Sequence, residues 1–328
     1  MVPEVWLRFP TLPAPDDVAP LGNAGGFSGA RLWRVTAGGQ PWCLRRWPSR
    51  HPEPARLHWI HSVLSHAASR GIDWLPLPIA DVHGSTFVQD GGYLWEVTRW
   101  LPGQVETQTP PAPQRLRSAV WALARFHVAV ADFDSECRRF GRSPAAGYRA
   151  QMLETLLAGR LDQLDRAIEA SPPSATSLPN QTARQLVQMV REKLSRHAFR
   201  IRSAAQREVP QQICLRDIWR DHVLFAGIHV SGFVDFGAMR VDSVAVDLAR
   251  LCGSFLGGSD WSTPLSDYQL KRQLSEVERE LVDEIDIGNA LLTTVQWLDW
   301  LFLERREFEN VERVRQRMEE AAERLRQL

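Results

Sequence analysis

The sequence predicts an α+β fold with two lobes, a small β-rich N-terminal lobe and a larger, mainly helical C-terminal lobe. A chain of 328 residues is longer than one hydrophobic core usually serves, which favours two cores. Hydrophobic residues make up 44% and charged residues 24%, so the chain can bury an interior and most of it is expected to be ordered. Strand-like alternation is concentrated before residue 101 and helical spacing after it, which places the boundary there.

The N-terminal segment predicts an extended arm over residues 1–20, because prolines from Pro3 to Pro20 interrupt any helix. The β-rich lobe is expected over residues 21–101, as a hairpin, a helix and a second hairpin. Alternating bulky and polar residues predict the first hairpin at Arg31–Trp47, and helical spacing ended by a glycine predicts the helix at Pro54–Arg70. A second pair of alternating segments predicts the second hairpin at Ser85–Gln89 and Tyr93–Trp100.

The C-terminal lobe is expected over residues 102–328, after the chain-reversing break at Leu101-Pro102-Gly103. Two short apolar runs around Gly227, Val223–Ala226 and Val230–Val234, predict a small hairpin buried among helices. Amphipathic spacing predicts helices at Pro113–Ala131, Gly147–Ala170, Thr182–Ala204, Val244–Phe255, Leu265–Glu284, Ile287–Glu304 and Glu307–Leu328.

The charge balance excludes several classes of partner. Lys plus Arg and Asp plus Glu each total 39, so no net charge attracts nucleic acid or an anionic membrane. The four cysteines show no CxxC spacing, which argues against a zinc site or a disulfide framework. No stretch approaches eighteen apolar residues, so we expect a cytoplasmic protein with neither a membrane nor a nucleic-acid partner.

The buried hairpin carries the residues that could perform chemistry. Arg216-Asp217 precedes the hairpin, His222 follows five positions after Asp217, and Asp235-Phe236-Gly237 comes directly after the second strand. Phosphoryl transfer needs one carboxylate to orient the acceptor hydroxyl and another to hold magnesium on the phosphates. Two aspartates at opposite ends of one tight hairpin can satisfy both requirements.

This loop and hairpin resemble the catalytic core of the aminoglycoside phosphotransferase/choline kinase-like family, a relative of the protein kinases. The resemblance covers most of the chain and implies a two-lobed protein kinase-like fold. Its further matches, in chain order, are the glycine-rich segment 22–29, the basic strand Cys43–Arg46, Leu101-Pro102-Gly103, Leu123–His127 and the Asp-Leu-Ala helix at Asp247.

The resemblance implies an ATP-dependent phosphotransferase that moves the γ-phosphate to a hydroxyl of a small-molecule substrate. It assigns Asp217 as the catalytic base, Asp235 as the magnesium ligand and His222 as a second metal or phosphate contact. Arg45 and the glycine-rich loop would clamp the phosphates, although that loop is also compatible with a flexible connector. The loop residues assigned to this role are Gly25, Gly26, Ser28 and Gly29.

Three positions depart from the family pattern. Leu215-Arg216 stands where the family usually has His-Gly, His222 where it has a metal-binding Asn, and Arg45 where it has a Lys. Imidazole is a softer ligand than an amide oxygen, so Mn²⁺ is an alternative to Mg²⁺, and a guanidinium keeps the positive charge at the clamp. The alternative function is a pseudokinase, a nucleotide-binding or interaction module without turnover.

Two assignments in the N-terminal lobe stay open. Glu53 is the candidate ion-pair partner for Arg45, but an N-terminal helix charge is the simpler explanation. The backbone of Glu96-Val97 is a candidate adenine contact, on the family's architecture alone.

The C-terminal lobe leaves three further choices. Trp219 either stacks on a substrate or packs in the interior. Asp247 is interpreted as structural, supporting its helix and accepting hydrogen bonds from the catalytic loop. The acid-rich segment from Glu276 to Asp286 either attracts a cationic amine substrate or forms a solvated helix face, and the second interpretation is favoured.

Overall fold

The structure, a computed structural model, describes residues 4–22, 29–108, 110–172, 178–258, 260–308 and 310–328. The chain divides into two compact units. The first contains Met1–Gln108, Ala112–Phe133 and Arg220–Met239, and the second contains Thr109–Pro111, Asp134–Trp219 and Arg240–Leu328. This division differs from the boundary predicted at residue 101, because a helix and the buried hairpin join the first unit.

The first unit contains a five-stranded antiparallel sheet in the order β1-β2-β3-β5-β4. Its strands are β1 (Pro15–Gly22), β2 (Arg31–Ala37), β3 (Gln40–Arg46), β4 (Val88–Asp90) and β5 (Tyr93–Arg99). Gly38 and Gly39 both have positive φ, 58° and 69°, as the two-residue turn between β2 and β3 requires. Both predicted hairpins of this region are therefore confirmed.

The segment predicted as an extended arm is instead part of the sheet and its core. Glu4–Arg8 forms one short 3-10 helix, and β1 pairs antiparallel with β2. Trp6 and Phe9 are buried on the same core cluster as Leu44. The prolines are tolerated because β1 is an edge strand, which needs hydrogen-bond donors on one side only.

Helices α1 (Pro54–Ser69) and α2 (Pro113–Ala129) also belong to the first unit. The predicted hairpin is confirmed as β9 (Val223–Ala226) and β10 (His229–Phe233), to which β6 (Gln104–Val105) adds a third antiparallel strand. The Val234 amide donates to the His222 carbonyl at 3.0 Å, so the hairpin stays closed at the end where His222 and Asp235 lie.

The second unit contains a three-stranded sheet that the sequence patterns did not predict. Its order is β11-β8-β7, from β7 (Arg139–Arg142), β8 (Glu208–Cys214) and β11 (Arg240–Asp242). Two of these strands have four residues or fewer, too short to show a period, and Gln211 and Gln212 of β8 are buried polar residues. The loop that carries Asp217 begins where β8 ends.

The helices of the second unit are α3 (Pro144–Thr155), α4 (Leu161–Glu169), α5 (Asn180–Gln206), α6 (Ala245–Leu256), α7 (Ser262–Gln269), α8 (Glu276–Leu298) and α9 (Val311–Arg326). Helix α8 is continuous where two helices were predicted, and it begins at a Ser275–Glu278 capping box. A core of aliphatic side chains from α3, α4, α5, α8 and α9 holds this unit together.

No helix among the described residues is both long enough and apolar enough to cross a membrane.

Candidate active site

Two groups of charged side chains contain the predicted site residues, one group in each unit. The Asp235 cluster, in the first unit, comprises Arg45, Glu96, His222 and Asp235. The Asp217 cluster, in the second unit, comprises Asp217, Trp219 and Arg250.

In the Asp235 cluster, two basic side chains face the two oxygens of one carboxylate. Arg45 Nη1 lies 3.5 Å from Asp235 Oδ1, and His222 Nε2 lies 3.9 Å from Asp235 Oδ2. The structure thus brings together three of the residues predicted for nucleotide and metal binding, from strand β3, from the start of β9 and from the end of β10.

Arg45 reaches Asp235 because of the register of β3. Leu44 is fully buried in the sheet core, so Arg45 projects from the opposite face. Arg46 returns to the first face, where its guanidinium lies over the Tyr93 ring at 4.3 Å. Of the two consecutive arginines, Arg45 is therefore the one beside Asp235.

The partner of Arg45 within the sheet is Glu96, not Glu53. Arg45 on β3 pairs in register with Glu96 on β5, and Arg45 Nε lies 3.7 Å from Glu96 Oε1. Glu53 is exposed at the start of α1 and makes no capping hydrogen bond with its side chain. The ion-pair partner of Arg45, which was expected on α1, therefore comes from strand β5.

Helix α1 contributes a histidine to the same network. His61 is buried, with its Nε2 2.7 Å from Glu96 Oε2 and its Nδ1 2.7 Å from Thr86 Oγ1. The hydrogen bonds fix the side chain of Glu96 on the side opposite Arg45. A continuous chain of polar contacts therefore runs from Thr86 through His61, Glu96 and Arg45 to Asp235.

Charge pairing keeps both carboxylates of this chain ionised. Burial alone would raise the pKa of Glu96, but the hydrogen bond and charge of His61, together with Arg45, lower it below its ordinary value. Burial likewise opposes ionisation of Asp235, and Arg45, then His222 and the Gly237 amide, lower its pKa. The pKa of Arg45 is raised despite burial, chiefly by Asp235 and Glu96.

The backbone at Asp235 adopts a strained conformation. Asp235 has a φ of 66°, in the left-handed region that non-glycine residues seldom adopt. At Gly237, two residues later, an added Cβ would lie 3.1 Å from the Trp47 ring, which is tighter than ordinary packing. Local geometry therefore favours a glycine at position 237, next to the Trp47 ring.

The donor set around Asp235 fits a divalent cation bound to phosphates. A carboxylate and an imidazole face each other at 3.9 Å, and both side chains are partly exposed. Carboxylate oxygens suit Mg²⁺ and Mn²⁺, and imidazole nitrogen shifts the preference toward Mn²⁺.

In the Asp217 cluster, one arginine holds the carboxylate. Arg250 of α6 donates to Asp217 Oδ1 from Nη2 at 2.9 Å and from Nε at 3.2 Å. The Arg250 guanidinium also lies 5.7 Å from the Trp219 ring, with Arg317 of α9 at 4.2 Å from the same ring. Trp219 is half-buried, and both guanidinium groups contact its ring.

Asp247 holds the backbone of the loop before Asp217. Its two oxygens accept hydrogen bonds from the amides of Leu215 and Arg216, each at 2.6 Å. The expectation that Asp247 supports the catalytic loop is thereby confirmed. Arg216 adopts a φ of 70°, which explains why the related family uses glycine here, and its guanidinium forms an ion pair with buried Asp242.

The glycine-rich segment is described only in part. Gly29 has a φ of 82° and leads into β2, which suits a turn. Gly25, Gly26 and Ser28 lie outside the described residues.

Sequence reasoning missed the side chains of Glu96, His61 and Arg250. A signal existed for Glu96, because an acid between Trp95 and Val97 in an apolar strand needs a buried partner. Arg250 follows Asp247 by three residues and so shares its helix face. Nothing local marks His61, whose role depends on how α1 packs against the sheet.

Comparison with known proteins agrees with this geometry. Residues 21–284 match the model of the phosphotransferase enzyme family APH. Homoserine kinases of Brucella anthropi and Methylobacterium sp. (strain 4-46) are 26% and 28% identical over 253 and 254 residues. In both cases the match covers 75% of this chain, and it covers 69% and 70% of the relatives.

Solved structures show the same fold. A spectinomycin phosphotransferase in complex with ADP and spectinomycin matches with a TM-score of 0.72 at 10% identity, covering 99% of this chain and 97% of that one. An aminoglycoside phosphotransferase from Alicyclobacillus acidocaldarius matches with a TM-score of 0.65 at 16% identity, over 100% of this chain and 97% of that one. The expected protein kinase-like α+β fold is confirmed.

This chain belongs to the phosphotransferase enzyme family. Within it, the chain is a small-molecule kinase, a phosphotransferase with an alcohol group as acceptor.

Proposed function

We propose that the protein transfers the γ-phosphate of ATP to a hydroxyl of a small metabolite, with Asp217 as catalytic base and Asp235 as the metal ligand. The observation that carries this proposal is the convergence of Arg45 and His222 on the two oxygens of Asp235. A carboxylate kept ionised between a fixed cation and a second metal-binding group is what a phosphate-bound divalent ion requires.

In the proposed reaction the acceptor hydroxyl oxygen forms a new bond to the γ-phosphorus. The bond from that phosphorus to the bridging oxygen breaks, ADP leaves with the electron pair, and the hydroxyl proton passes to the Asp217 carboxylate. The two hydrogen bonds from Arg250 to Oδ1 help to hold the Asp217 carboxylate in one orientation, as a base that receives the hydroxyl proton requires.

Asp235 and His222 would hold the divalent ion, and the ion when bound neutralises charge on the phosphates. Arg45 would bind phosphate oxygens through its guanidinium. Glu96 and His61 support that role because they anchor Arg45 from the side opposite Asp235. The lysine-to-arginine departure thus preserves the charge and comes with its own anchoring pair.

Gly29 and the segment that contains Gly25, Gly26 and Ser28 are proposed to cover the phosphates, as in the family that the sequence resembles. The curated relatives named above are homoserine kinases, so homoserine is the first acceptor to test.

The test measures ATP binding with and without Mg²⁺ or Mn²⁺, and then transfer of phosphate to homoserine and a panel of other alcohols. Metal-dependent binding together with a phosphorylated product supports the proposal. Saturable ATP binding without transfer to any acceptor would favour the pseudokinase alternative, and the absence of ATP binding would contradict both.

A further inference from the structure

Three arginines surround the loop that carries Asp217, each from a different element of the second unit. Arg250 projects from α6 and binds Asp217. Arg216 lies in the loop itself and pairs with Asp242. Arg149 projects from the first turns of α3, whose N-terminal Ser143 and Ala145 also bind Asp242 at 2.5 Å and 3.0 Å.

Arg149 is the arginine of this group that forms no ion pair with a carboxylate among the described residues. Its Nη1 donates to the Ala145 carbonyl at 2.8 Å and its Nη2 donates to the Asn289 side-chain oxygen, both neutral groups. Its Nε is buried and has no hydrogen-bond partner among the described residues. A largely buried guanidinium that forms no ion pair is costly, so its presence beside the loop that carries Asp217 favours a place for an anionic ligand.

The protein makes room for the Arg149 side chain. A Cβ at Gly288 of α8 would lie 2.6 Å from Arg149 Cδ, so only glycine lets the arginine lie against this helix. Burial, followed by the positive charge of Arg216, lowers the pKa of Arg149 to about 10, with Asp242 opposing the shift and Arg250 adding a smaller lowering effect. The positive charges of the group therefore reinforce one another at Arg149.

The acids nearby do not offer a site for a cationic amine. Three members of the acid-rich segment, Glu278, Glu284 and Asp286, are buried and ion-paired with arginines, namely Arg272, Arg207 and Arg324. The predicted solvated face is therefore wrong for these three acids. Each of these acids therefore already has an arginine partner, whereas Arg149 forms no ion pair among the described residues and feels Asp242 and Asp286 through their charge alone.

We propose that the acceptor alcohol carries an anionic group, a carboxylate or a phosphate, which Arg149 and Arg250 bind while Asp217 receives the hydroxyl proton. This inference rests on the phosphotransferase function proposed above. Planar guanidinium groups bind either anion through paired hydrogen bonds. The Arg250 side chain is one-third exposed, and its hydrogen bonds to Asp217 use Nε and Nη2.

The first experiment compares wild-type kcat/KM for four acceptors at saturating ATP. Homoserine has both an amine and a carboxylate, γ-hydroxybutyrate keeps only the carboxylate, aminopropanol keeps only the amine, and glycerol phosphate carries a phosphate. We expect turnover of γ-hydroxybutyrate or glycerol phosphate to exceed that of aminopropanol by about tenfold to a hundredfold. These two acceptors also distinguish a carboxylate from a phosphate site.

The second experiment tests Arg149 with the Arg149→Gln and Arg149→Lys variants. Arg149→Gln should raise KM for the preferred anionic acceptor about tenfold or more and leave KM for aminopropanol unchanged, and Arg149→Lys should recover part of the loss. Arg202→Gln is the matched control, because Arg202 pairs on the surface with Glu154. It should change neither KM.

Equal or better turnover of aminopropanol by the wild type would overturn the inference and leave the phosphotransferase function intact. If no acceptor is phosphorylated, calorimetric binding of γ-hydroxybutyrate and glycerol phosphate decides the matter separately. Binding by the wild type that Arg149→Gln abolishes would support the anion site and reject the proposed turnover. Failure of both anions to bind would reject the anion site.

Discussion

The two clusters hold similarly exposed carboxylates in different ways. The side chains of Asp235 and Asp217 are 40% and 41% exposed, and Arg45 and Arg250 respectively form ion pairs with them. Arg45 is anchored on its far side by buried Glu96, which His61 fixes in turn. Arg250 lies instead against the Trp219 ring and forms no ion pair with a second acid among the described residues.

This difference suits the two roles proposed for the clusters. A phosphate clamp works best when the cation is held before the ligand arrives, because less side-chain entropy is lost on binding. A base that receives a proton needs an orienting contact that leaves one oxygen available. The departures from the family pattern at Arg45 and His222 fall in the first cluster, where surrounding contacts accommodate them.

The largest expected effect separates the two clusters directly. Asp217→Asn should lower kcat by about a hundredfold to ten-thousandfold, because the amide cannot accept the hydroxyl proton. ATP affinity should stay within about twofold of wild type, because the nucleotide contacts are proposed for the other cluster. Steady-state kinetics and calorimetry measure the two quantities.

Asp162→Asn provides the control, as Asp162 is an exposed carboxylate in the same unit that also pairs with an arginine, Arg191. Turnover that survives Asp217→Asn would reject Asp217 as the base.

The corresponding substitution in the Asp235 cluster should affect nucleotide binding. Asp235→Asn removes the charged metal ligand and one partner of Arg45, so the gain in ATP affinity on adding Mg²⁺ should fall by about tenfold to a hundredfold. ATP titrations with and without metal measure this gain. An unchanged gain in the variant would place the metal elsewhere.

A smaller effect tests the anchoring of Arg45. Glu96→Gln keeps the shape of the side chain and removes its charge, so ATP affinity should fall about tenfold through loss of one charge-assisted contact, with kcat for bound substrates changed less. An Arg45→Lys variant should lose affinity too, because an ammonium group cannot contact Glu96 and Asp235 with the same geometry.

The Glu96→Gln variant should also change how the stability of the protein depends on pH. The folded pKa of Glu96 is lowered below its ordinary value of 4.5, so its ionised form stabilises the folded protein at neutral pH. That stabilisation should be lost as the pH falls below the ordinary pKa of Glu96 and then through its lowered pKa in the folded protein. Denaturant unfolding of wild type and Glu96→Gln should therefore differ at neutral pH and converge in acid. A difference that grows in acid would contradict the assignment.

The smallest effect concerns the metal. His222→Asn restores the oxygen ligand of the family pattern, so the ratio of activity with Mg²⁺ to activity with Mn²⁺ should rise by about a fewfold. His222→Ala should lower activity with both ions. An identical ratio in wild type and His222→Asn would remove His222 from the metal site.

The local sequence was sufficient for the hairpins and for the residue types of the site. Gly38-Gly39 determines the β2–β3 turn through its positive φ values, and Asp-Phe-Gly after an apolar run marks the strained turn at Asp235. These features depend on neighbours in the chain, so their pattern is readable without a structure. The edge strand β1 and the sheet of β7, β8 and β11 could not be predicted from local patterns. Pairing with distant strands compensates for the prolines of β1 and for the short length of β7 and β11.

The amino-acid sequence by itself determined which carboxylates, cations and glycines were available and in what order. Only the tertiary structure decided which of them meet: Arg45 rather than Arg46 lies beside Asp235, Glu96 rather than Glu53 is its anchor, and Arg149 forms no ion pair among the described residues. The physical reason is that strand register and helix packing join residues that are far apart in the chain. A one-residue shift of β3 would exchange the faces of the two arginines, and no local pattern around them records that choice.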